Sequence, residues 1–323
     1  MPQVSVVIST YNRRELLLSS LRSALGQRDV DLEVIVVDNG SSDGTSDLLG
    51  TVDDPRLRVL RNEVSLGSVG GRNTGIAAAS GAWVGLHDDD DRWAPDKLRA
   101  QLDAAETTGR HWVYAGCVHI DGGDRILGGR PPLTPEGVMA ELPVRLTVPG
   151  GMSNVMWRRN VLDGDGLLDP RLPFPADWDL ALRLSRTGPP AVVSRPLVGY
   201  RQHGSNMSRH PSRYEAQLLL LERKGADLVG GRGISWGHFW RFVASEELRT
   251  GSRRAALRAY RLAVVAGDWG SVPRAAGVLL PPAAQRWAVR TLLSDADWLD
   301  EGRRWLREDP PTLAFKPGTQ RSA

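Results

Sequence analysis

The stretch WVGLHDDDD, residues 83–91, decides the fold class more than any other part of the chain. Trp83–Leu86 is a short apolar run with the length of a buried strand, and four consecutive carboxylates follow it after His87. In open α/β sheets, ligands bind beyond the carboxyl ends of the strands. The stretch therefore predicts an α/β protein with its functional site at this strand end.

Short apolar runs alternate with helical patterns on both sides of this stretch. Strands are also predicted at Val4–Ile8, Leu32–Val37, Leu57–Leu60 and His111–Ile120. Helices are predicted at Arg13–Leu25, from Thr45, at Gly70–Ala79, Pro95–Ala105 and Trp178–Arg186. This rhythm favours a mostly parallel, Rossmann-like sheet flanked by helices. Later segments are predicted as an irregular excursion (residues 121–150), a strand (Met152–Trp157), a short strand (Ala191–Val193) and an exit loop (Pro196–His203).

The strand signal ends near residue 211. Beyond it, amphipathic helices are predicted at Tyr214–Val229, His238–Arg249, Arg253–Val265 and Ala283–Leu293. We expect a catalytic domain over residues 1–210, with a nucleotide half of about 1–120 and an acceptor half of about 121–210. Residues 211–323 are expected to form an all-helical C-terminal extension.

The charge of the 323 residues is divided unevenly along the chain. The formal net charge is +3, with 23 basic and 26 acidic residues in 1–210 and 18 and 12 in 211–323. Such a mild excess does not indicate a nucleic-acid partner. The single cysteine, Cys117, excludes an intrachain disulfide. We expect a cytoplasmic protein without a leader or a membrane-spanning run. The helices of residues 211–323 are rich in tryptophan, and we favour packing against the catalytic domain as the role of these side chains. Peripheral membrane contact and homo-oligomer formation are the alternatives left open.

The acidic run is the strongest chemical signal. Adjacent carboxylates repel one another and favour a cation between them, and Mg²⁺ or Mn²⁺ takes carboxylate and phosphate oxygens. If the segment stays extended, Asp88 and Asp90 lie on one side, and Asp89 and Asp91 on the other. The alternative is a solvated acidic loop before the helix at Pro95.

Four further positions carry weaker signals. Asp38 ends the second predicted strand, where an acidic residue suits a base or ribose contact, but no G-x-G-x-x-G follows the first strand. Arg72 lies near a helix start and suits a phosphate. Asp177 suits either a helix cap or a general base. His203 suits a metal, a phosphate or the surface.

Together these residues resemble the family-two inverting glycosyltransferases, which have the GT-A fold and use nucleoside diphosphate sugars. The matching segments, in order, are residues 4–13 (VSVVISTYNR), 36–45 (VVDNGSSDGT), 71–75 (GRNTG), 88–98 (DDDDRWAPDKL), 177–184 (DWDLALRL) and 200–203 (YRQH). Each matching segment is weak evidence alone, but six such segments in order, over about two thirds of the chain, are a specific signal for the family. The resemblance implies a metal-dependent transfer of a sugar, UDP-linked as a first expectation, to a hydroxyl of a small-molecule, glycan or peptide acceptor.

The resemblance also implies a role for each matched residue. Asp177 would be the catalytic base that deprotonates the acceptor. The nucleotide would be bound by Thr10, Tyr11, Arg13, Asp38, Arg72 and Asp89. Mg²⁺ or Mn²⁺ would be bound by Asp88, Asp90 and His203. The acceptor would contact Met152, Ser153 and Trp178. One position departs from the family pattern, since Ala176 stands where a glutamate usually precedes the base.

Two other functions are kept as alternatives. A nucleotidyltransferase that makes sugar nucleotides would also use an α/β sheet and a metal, but it usually needs a glycine-rich phosphate loop with a lysine near strand one, which is absent. A non-catalytic sugar-nucleotide-binding protein is suggested only by Ala176.

Overall fold

The computed structural model describes residues 1–162, 167–203, 215–224, 233–249, 251–279 and 296–316. Its strands are β1 Val4–Thr10, β2 Leu32–Asp38, β3 Leu57–Arg61, β4 Trp83–Asp88, β5 Arg92–Trp93, β6 Trp112–Ile120, β7 Ile126–Arg130, β8 Met156–Arg158 and β9 Ala191–Arg201. Its helices are α1 Arg14–Leu25, α2 Thr45–Thr51, α3 Gly67–Ala78, α4 Lys97–Thr108, α5 Pro135–Glu141, α6 Ala176–Ser185, α7 Glu215–Lys224, α8 Trp236–Arg249, α9 Arg253–Val265, α10 Ser271–Val278 and α11 Ala296–Leu306. The α/β class is thus confirmed.

The described strands form one mixed sheet in the order β3-β2-β1-β4-β8-β6-β9-β5, with β7 paired to β6. The first four strands are mutually parallel, as are β6 and β9. The short β8 joins these two groups because it runs antiparallel to both β4 and β6. The register places Ser9 beside Asp88 and Thr10 beside Asp38, so the polar strand ends meet at one edge.

Both faces of the sheet are buried, which explains the continuous apolar runs of the central strands. In β1, Val6 and Ile8 pack in one core together with Leu17 of α1. Val7, which points to the opposite face, packs in a second core with Leu180 of α6. Helices therefore cover both sides of the sheet, as predicted.

Four segments differ from the sequence prediction. The helix after the acidic run begins at Lys97 rather than Pro95, because the preceding residues pair with β9. Strand β9 continues into the predicted exit loop as far as Arg201, and register shifts opposite Pro196 accommodate a residue that has no N–H to donate. Residues 121–150 contain β7 and α5. The predicted strand Met152–Trp157 is instead a 3₁₀ turn, Gly151–Asn154, followed by β8.

The C-terminal helices pack on the sheet domain. Phe239 and Tyr260, of α8 and α9, lie in the same core as Leu180. The indole N–H of Trp305 in α11 donates to the carbonyl of Pro196 at 2.6 Å, so α11 is held against β9. Whether residue 210 is a domain boundary stays a prediction, and the predicted helix Ala283–Leu293 lies outside the described residues.

Candidate active site

A cavity of about 790 Å³ opens at the carboxyl ends of β1 and β4. Its lining includes ten of the thirteen site residues predicted from the sequence. These are Thr10, Tyr11, Arg13, Arg72, Asp88, Asp89, Asp90, Met152, Asp177 and Trp178. The other three, Asp38, Ser153 and His203, lie behind residues of this lining and contact it or its neighbours.

The loop after β1 brings a cation to the acidic run. Arg13 Nη1 donates to Asp89 Oδ1 at 2.9 Å and to Asp90 Oδ2 at 2.8 Å. Tyr11 is 49% exposed and lines the cavity with its ring. Asn12 has a left-handed backbone, with φ of +52°, and its side chain accepts from Ser42 N at 2.8 Å. This bond ties the β1 loop to the loop after β2.

Asp38 does not line the cavity. It is fully buried, its Oδ1 accepts from Ser41 N at 2.9 Å, and its Oδ2 accepts from Ser46 and from Arg61. Burial acts to raise the pKa of Asp38, but the hydrogen bonds from Ser41 and Ser46 outweigh it and lower the pKa. Its carboxylate therefore shapes the β2 loop, and the next residue, Asn39, lines the cavity instead.

The acidic run turns instead of staying extended. Strand β4 ends at Asp88, and Asp91 N donates back to Asp88 O at 3.3 Å. The predicted alternation of sides therefore fails: Asp89 and Asp90 both accept from Arg13, and Asp91 lies with Asp88 and Asp90. Carboxylate oxygens of these last three residues all lie within 4.8 Å of one another.

The electrostatics of this cluster favour a cation. Burial and the charges of Asp90 and Asp88 raise the pKa of Asp91, and its Oδ2 has no hydrogen-bond partner among the described residues. Burial and Asp90 raise the pKa of Asp89 to about 6. Closely spaced, partly unpaired carboxylate oxygens are the ligands that Mg²⁺ and Mn²⁺ prefer. The residues present therefore fit a divalent metal.

Two basic side chains border the acidic cluster. Arg72 Nη2, from α3, donates to Asp88 Oδ1 at 2.6 Å. His203 Nε2 lies 2.8 Å from Asp90 Oδ2, so the structure pairs this predicted metal ligand with a carboxylate. For Asp90, burial acts to raise the pKa, but the hydrogen bond with His203 and the charge of Arg13 lower it.

Asp177 lies in the first turn of α6, one residue after the helix start at Ala176, and does not cap it. Its Oδ1 accepts from Trp178 N at 2.8 Å, and the carboxylate lines the cavity. Burial is the main cause that raises its pKa to about 6, and the nearby charge of Asp88 adds to it. A carboxylate that titrates near neutral pH is suited to accept a proton.

The segment Gly150–Asn154 links the acidic cluster with Asp177. Ser153, predicted as an acceptor contact, is fully buried and its Oγ accepts from Asp88 N at 2.8 Å. Gly151 has φ of +53°, and a Cβ built on it would lie 2.9 Å from Asp177 Oδ2. The glycine therefore allows the turn to approach the carboxylate closely.

We expect Gly151→Ala to lower kcat at least tenfold, because the new methyl group must displace the Asp177 carboxylate. The left-handed backbone adds a cost of about 1–2 kcal/mol in folding free energy. Gly109→Ala is the matched control, since Gly109 has a similar φ of +65° and open space around its Cβ position. Both variants should lose similar stability in thermal unfolding, and only Gly151→Ala should lose activity. Equal kcat values for the two variants would contradict this role of Gly151.

The far part of the cavity is formed by residues that the sequence analysis did not single out. Helix α8 contributes Phe239, Arg241, Phe242 and Arg249, and strand β7 contributes Arg130. The amphipathic pattern of α8 predicted a helix but gave no sign of which face meets the site. Asp179, beside Asp177, is buried and pairs with Lys224 of α7 at 2.8 Å.

The sheet order and the position of the cavity define the GT-A class of glycosyltransferase fold. S. aureus TarS 1-349, in complex with UDP-GlcNAc, has a similar fold, with a TM-score of 0.57, 17% identity and coverage of 80% of this chain and 82% of that one. The mannosyltransferase PcManGT from Pyrobaculum calidifontis, in complex with GDP-Man and Mn²⁺, has a TM-score of 0.53, 19% identity and coverage of 95% and 88%.

Residues 5–154, slightly less than half of the chain, match the model of Glycosyl transferase family 2. The chain is 36% identical over 160 residues to the succinoglycan biosynthesis protein ExoO of Rhizobium meliloti, covering 49% of this chain and 44% of that protein. It is 27% identical over 187 residues to WfaP of Escherichia coli, a UDP-Glc:alpha-D-GlcNAc-diphosphoundecaprenol beta-1,3-glucosyltransferase, covering 57% and 70%. The chain thus spans less than half the length of the first of these relatives. In the part of the chain that the structure describes, no helix is long and apolar enough to cross a membrane.

Proposed function

We propose that this protein transfers a sugar from a nucleoside diphosphate sugar to a hydroxyl group of an acceptor, with inversion at the anomeric carbon. The observation that carries the proposal is that one cavity is lined both by the acidic run and by Asp177, a carboxylate with a pKa near 6. The first can bind a metal and a diphosphate, and the second can accept a proton.

The donor would occupy the end of the cavity at β1 and β4. The exposed side chain of Tyr11 offers an aromatic face for the base. Arg13 and Arg72 would contact the ribose or diphosphate, since guanidinium groups bind phosphate oxygens well. Both arginines are paired with carboxylates of the acidic run, so donor binding must rearrange these pairs.

Mg²⁺ or Mn²⁺ would be held by Asp88, Asp90 and Asp91, with His203 supporting Asp90. When bound, the metal would neutralise the charge that develops on the leaving diphosphate. The hydrogen bond from Asp88 N to Ser153 Oγ fixes the backbone at the end of β4. Ser153 therefore holds the backbone of Asp88, and His203 holds the carboxylate of Asp90, without any bound ligand.

Asp177 would take the proton of the acceptor hydroxyl as that oxygen attacks the anomeric carbon. The bond from the carbon to the diphosphate breaks on the opposite side of the sugar, so one displacement inverts the configuration. Asp177 needs no second carboxylate for this step, which is consistent with alanine at position 176. Ala176 is buried in the cavity wall and leaves room there for the acceptor.

The relatives suggest which substrates to test first. WfaP is named for UDP-glucose and a lipid-linked acceptor, and ExoO for the biosynthesis of a polysaccharide. We therefore propose UDP-glucose as the first donor and a glycan or lipid-linked sugar as the acceptor class. A peptide or small-molecule acceptor is the less favoured choice.

The proposal is tested by incubating the protein with each common nucleoside diphosphate sugar and measuring the release of the nucleoside diphosphate. We expect slow hydrolysis of one donor in Mn²⁺ or Mg²⁺ and at least a tenfold loss in EDTA. Pyrophosphate release from a nucleoside triphosphate and a sugar 1-phosphate would instead support the nucleotidyltransferase alternative. Donor binding without hydrolysis or transfer would support a non-catalytic binder.

A further inference from the structure

One end of the cavity carries a group of arginines that the proposed donor site and base do not use. The arginine cluster consists of Arg130, Arg145, Arg241, Arg249 and Arg274, all of which line the cavity. They come from β7, the segment after α5, α8 and α10. Among the described residues, Glu246 is the only carboxylate in this part of the lining.

The cluster has more positive charge than its carboxylate partners neutralise. Arg249 pairs with Glu246 at 2.5 Å, Arg241 with Asp268 at 3.2 Å, and Arg145 with Glu141. Arg274 donates to the carbonyl of Gly270 at 2.6 Å and has no carboxylate partner among the described residues. The Arg130 guanidinium makes no hydrogen bond or ion pair with any residue that the structure describes. Two of these positive charges are therefore without a carboxylate partner in the part of the chain that the structure describes.

The positive charges of the cluster also lower the pKa values of groups beside them. Loss of water around its guanidinium and the charges of Arg145 and Arg241 lower the pKa of Arg130. Burial, Arg249 and Arg130 lower the pKa of His119, which also lines the cavity, to about 4. This histidine is therefore neutral at neutral pH and adds no charge to this end of the cavity.

The arginine cluster and Asp177 line the same cavity. A Cβ built on Gly151 would lie 2.9 Å from Asp177 Oδ2, and one on Gly150 would lie 2.9 Å from Cys117 Sγ. Cys117 is paired with Arg130 across β6 and β7. Two consecutive glycines thus lie between the Asp177 carboxylate and β6, the strand that pairs with the Arg130 strand β7. A ligand that fills the cavity can reach both.

We propose that the arginine cluster binds a phosphate or diphosphate group of the acceptor, so that the sugar acceptor is an anionic glycosyl phosphate instead of a neutral glycan. The inference names the acceptor class of the proposed transferase and rests on that function. Guanidinium groups bind phosphate with paired, charge-assisted hydrogen bonds, and two of the arginines have no carboxylate to displace. Phe239 and Phe242 line the cavity on the same helix and offer apolar surface to the rest of the acceptor.

A binding experiment tests the cluster without relying on catalysis. Inorganic pyrophosphate is titrated into the metal-free protein in the presence of saturating UDP, so that the donor end is filled. We expect Arg130→Gln and Arg274→Gln each to weaken pyrophosphate binding roughly tenfold or more. Neither variant removes an ion pair of the described residues, so both should fold. Arg125→Gln is the control, because Arg125 is on the same hairpin, its side chain is 85% exposed, and its pair with Asp121 is a surface pair.

A kinetic experiment then compares three acceptors with the same sugar: an alkyl glycoside, the glycosyl 1-phosphate and an alkyl glycosyl diphosphate. We expect the wild type and Arg125→Gln to prefer a phosphorylated acceptor at least tenfold in kcat/KM, and Arg130→Gln to lose that preference through a higher KM. A preference for the diphosphate over the monophosphate would identify a lipid-linked source. Pyrophosphate binding that is absent or equal in all variants would overturn the inference. Pyrophosphate binding without any sugar transfer would retain the anion site and reject the transferase function.

Discussion

Asp177→Asn is expected to lower kcat for sugar transfer by roughly a hundredfold to ten-thousandfold, the usual contribution of a positioned general base. The amide keeps the size of the side chain and can still accept from Trp178 N, so α6 should stay intact. It cannot take up the proton of the acceptor hydroxyl. The measurement is kcat and KM for transfer, with thermal unfolding as the check on the fold.

The pH dependence of kcat is a second, independent test of Asp177 as the base. Since the pKa of Asp177 is raised to about 6, the carboxylate is deprotonated above this pH and protonated below it. We therefore expect kcat to rise with pH and to level off above about pH 6, and to fall about tenfold per unit below it. Asp103→Asn, an exposed change on α4, should keep the full wild-type profile. Transfer at the wild-type rate by Asp177→Asn would falsify the assignment of the base.

Asp90→Asn is expected to weaken the binding of UDP in the presence of Mn²⁺ at least roughly tenfold. The side chain would lose a negative charge at the point where the oxygens of three carboxylates converge. It would also lose its ion pair with Arg13 and change its hydrogen bond with His203. Isothermal titration of UDP, with Mn²⁺ and with EDTA, measures the effect.

The comparison of the two titrations separates metal binding from a general loss of affinity. The wild type and Asp103→Asn should bind UDP more tightly with Mn²⁺ than with EDTA, whereas Asp90→Asn should show little difference. If Asp90→Asn keeps the full metal effect, Asp90 is not a metal ligand. If the wild type itself shows no metal effect, Arg13 and Arg72 alone neutralise the diphosphate.

The parts of the fold that could be predicted are those with local signals. Strands β1, β2 and β4 are buried on both faces, so their sequences are continuous apolar runs that end in polar residues. Because these strands are parallel neighbours, Ser9, Thr10, Asp38 and Asp88 had to meet at one edge. The general position of the site therefore followed from the sequence alone.

The details of the site depend on contacts that no local pattern encodes. Asp38 was predicted to reach the base, but Ser41, Ser46 and Arg61 surround it. Asp89 was predicted to face away from Asp90, but the chain turns there and both accept from Arg13. In each case hydrogen bonds with a distant or following loop decide the orientation.

The arginine cluster was beyond sequence reasoning for a different reason. Arg130, Arg145, Arg249 and Arg274 are spread over nearly 150 positions, and none belongs to a recognisable motif. Arginine is common throughout this chain, so no single one is conspicuous. These side chains come together only in the folded chain, where α8, α10 and β7 each contribute to the lining of one cavity.

The segment Gly150–Asn154 has a consequence for how this protein can be altered. Within five residues it holds Asp88 through Ser153, touches Asp177 through Gly151 and lines the cavity with Met152. An engineer who changes this turn to admit a new acceptor also moves a metal ligand and the base. Substitutions on α8 are therefore the better way to widen the range of acceptors. Side chains of this helix line the cavity, and they do not support the Asp88 or Asp177 carboxylate.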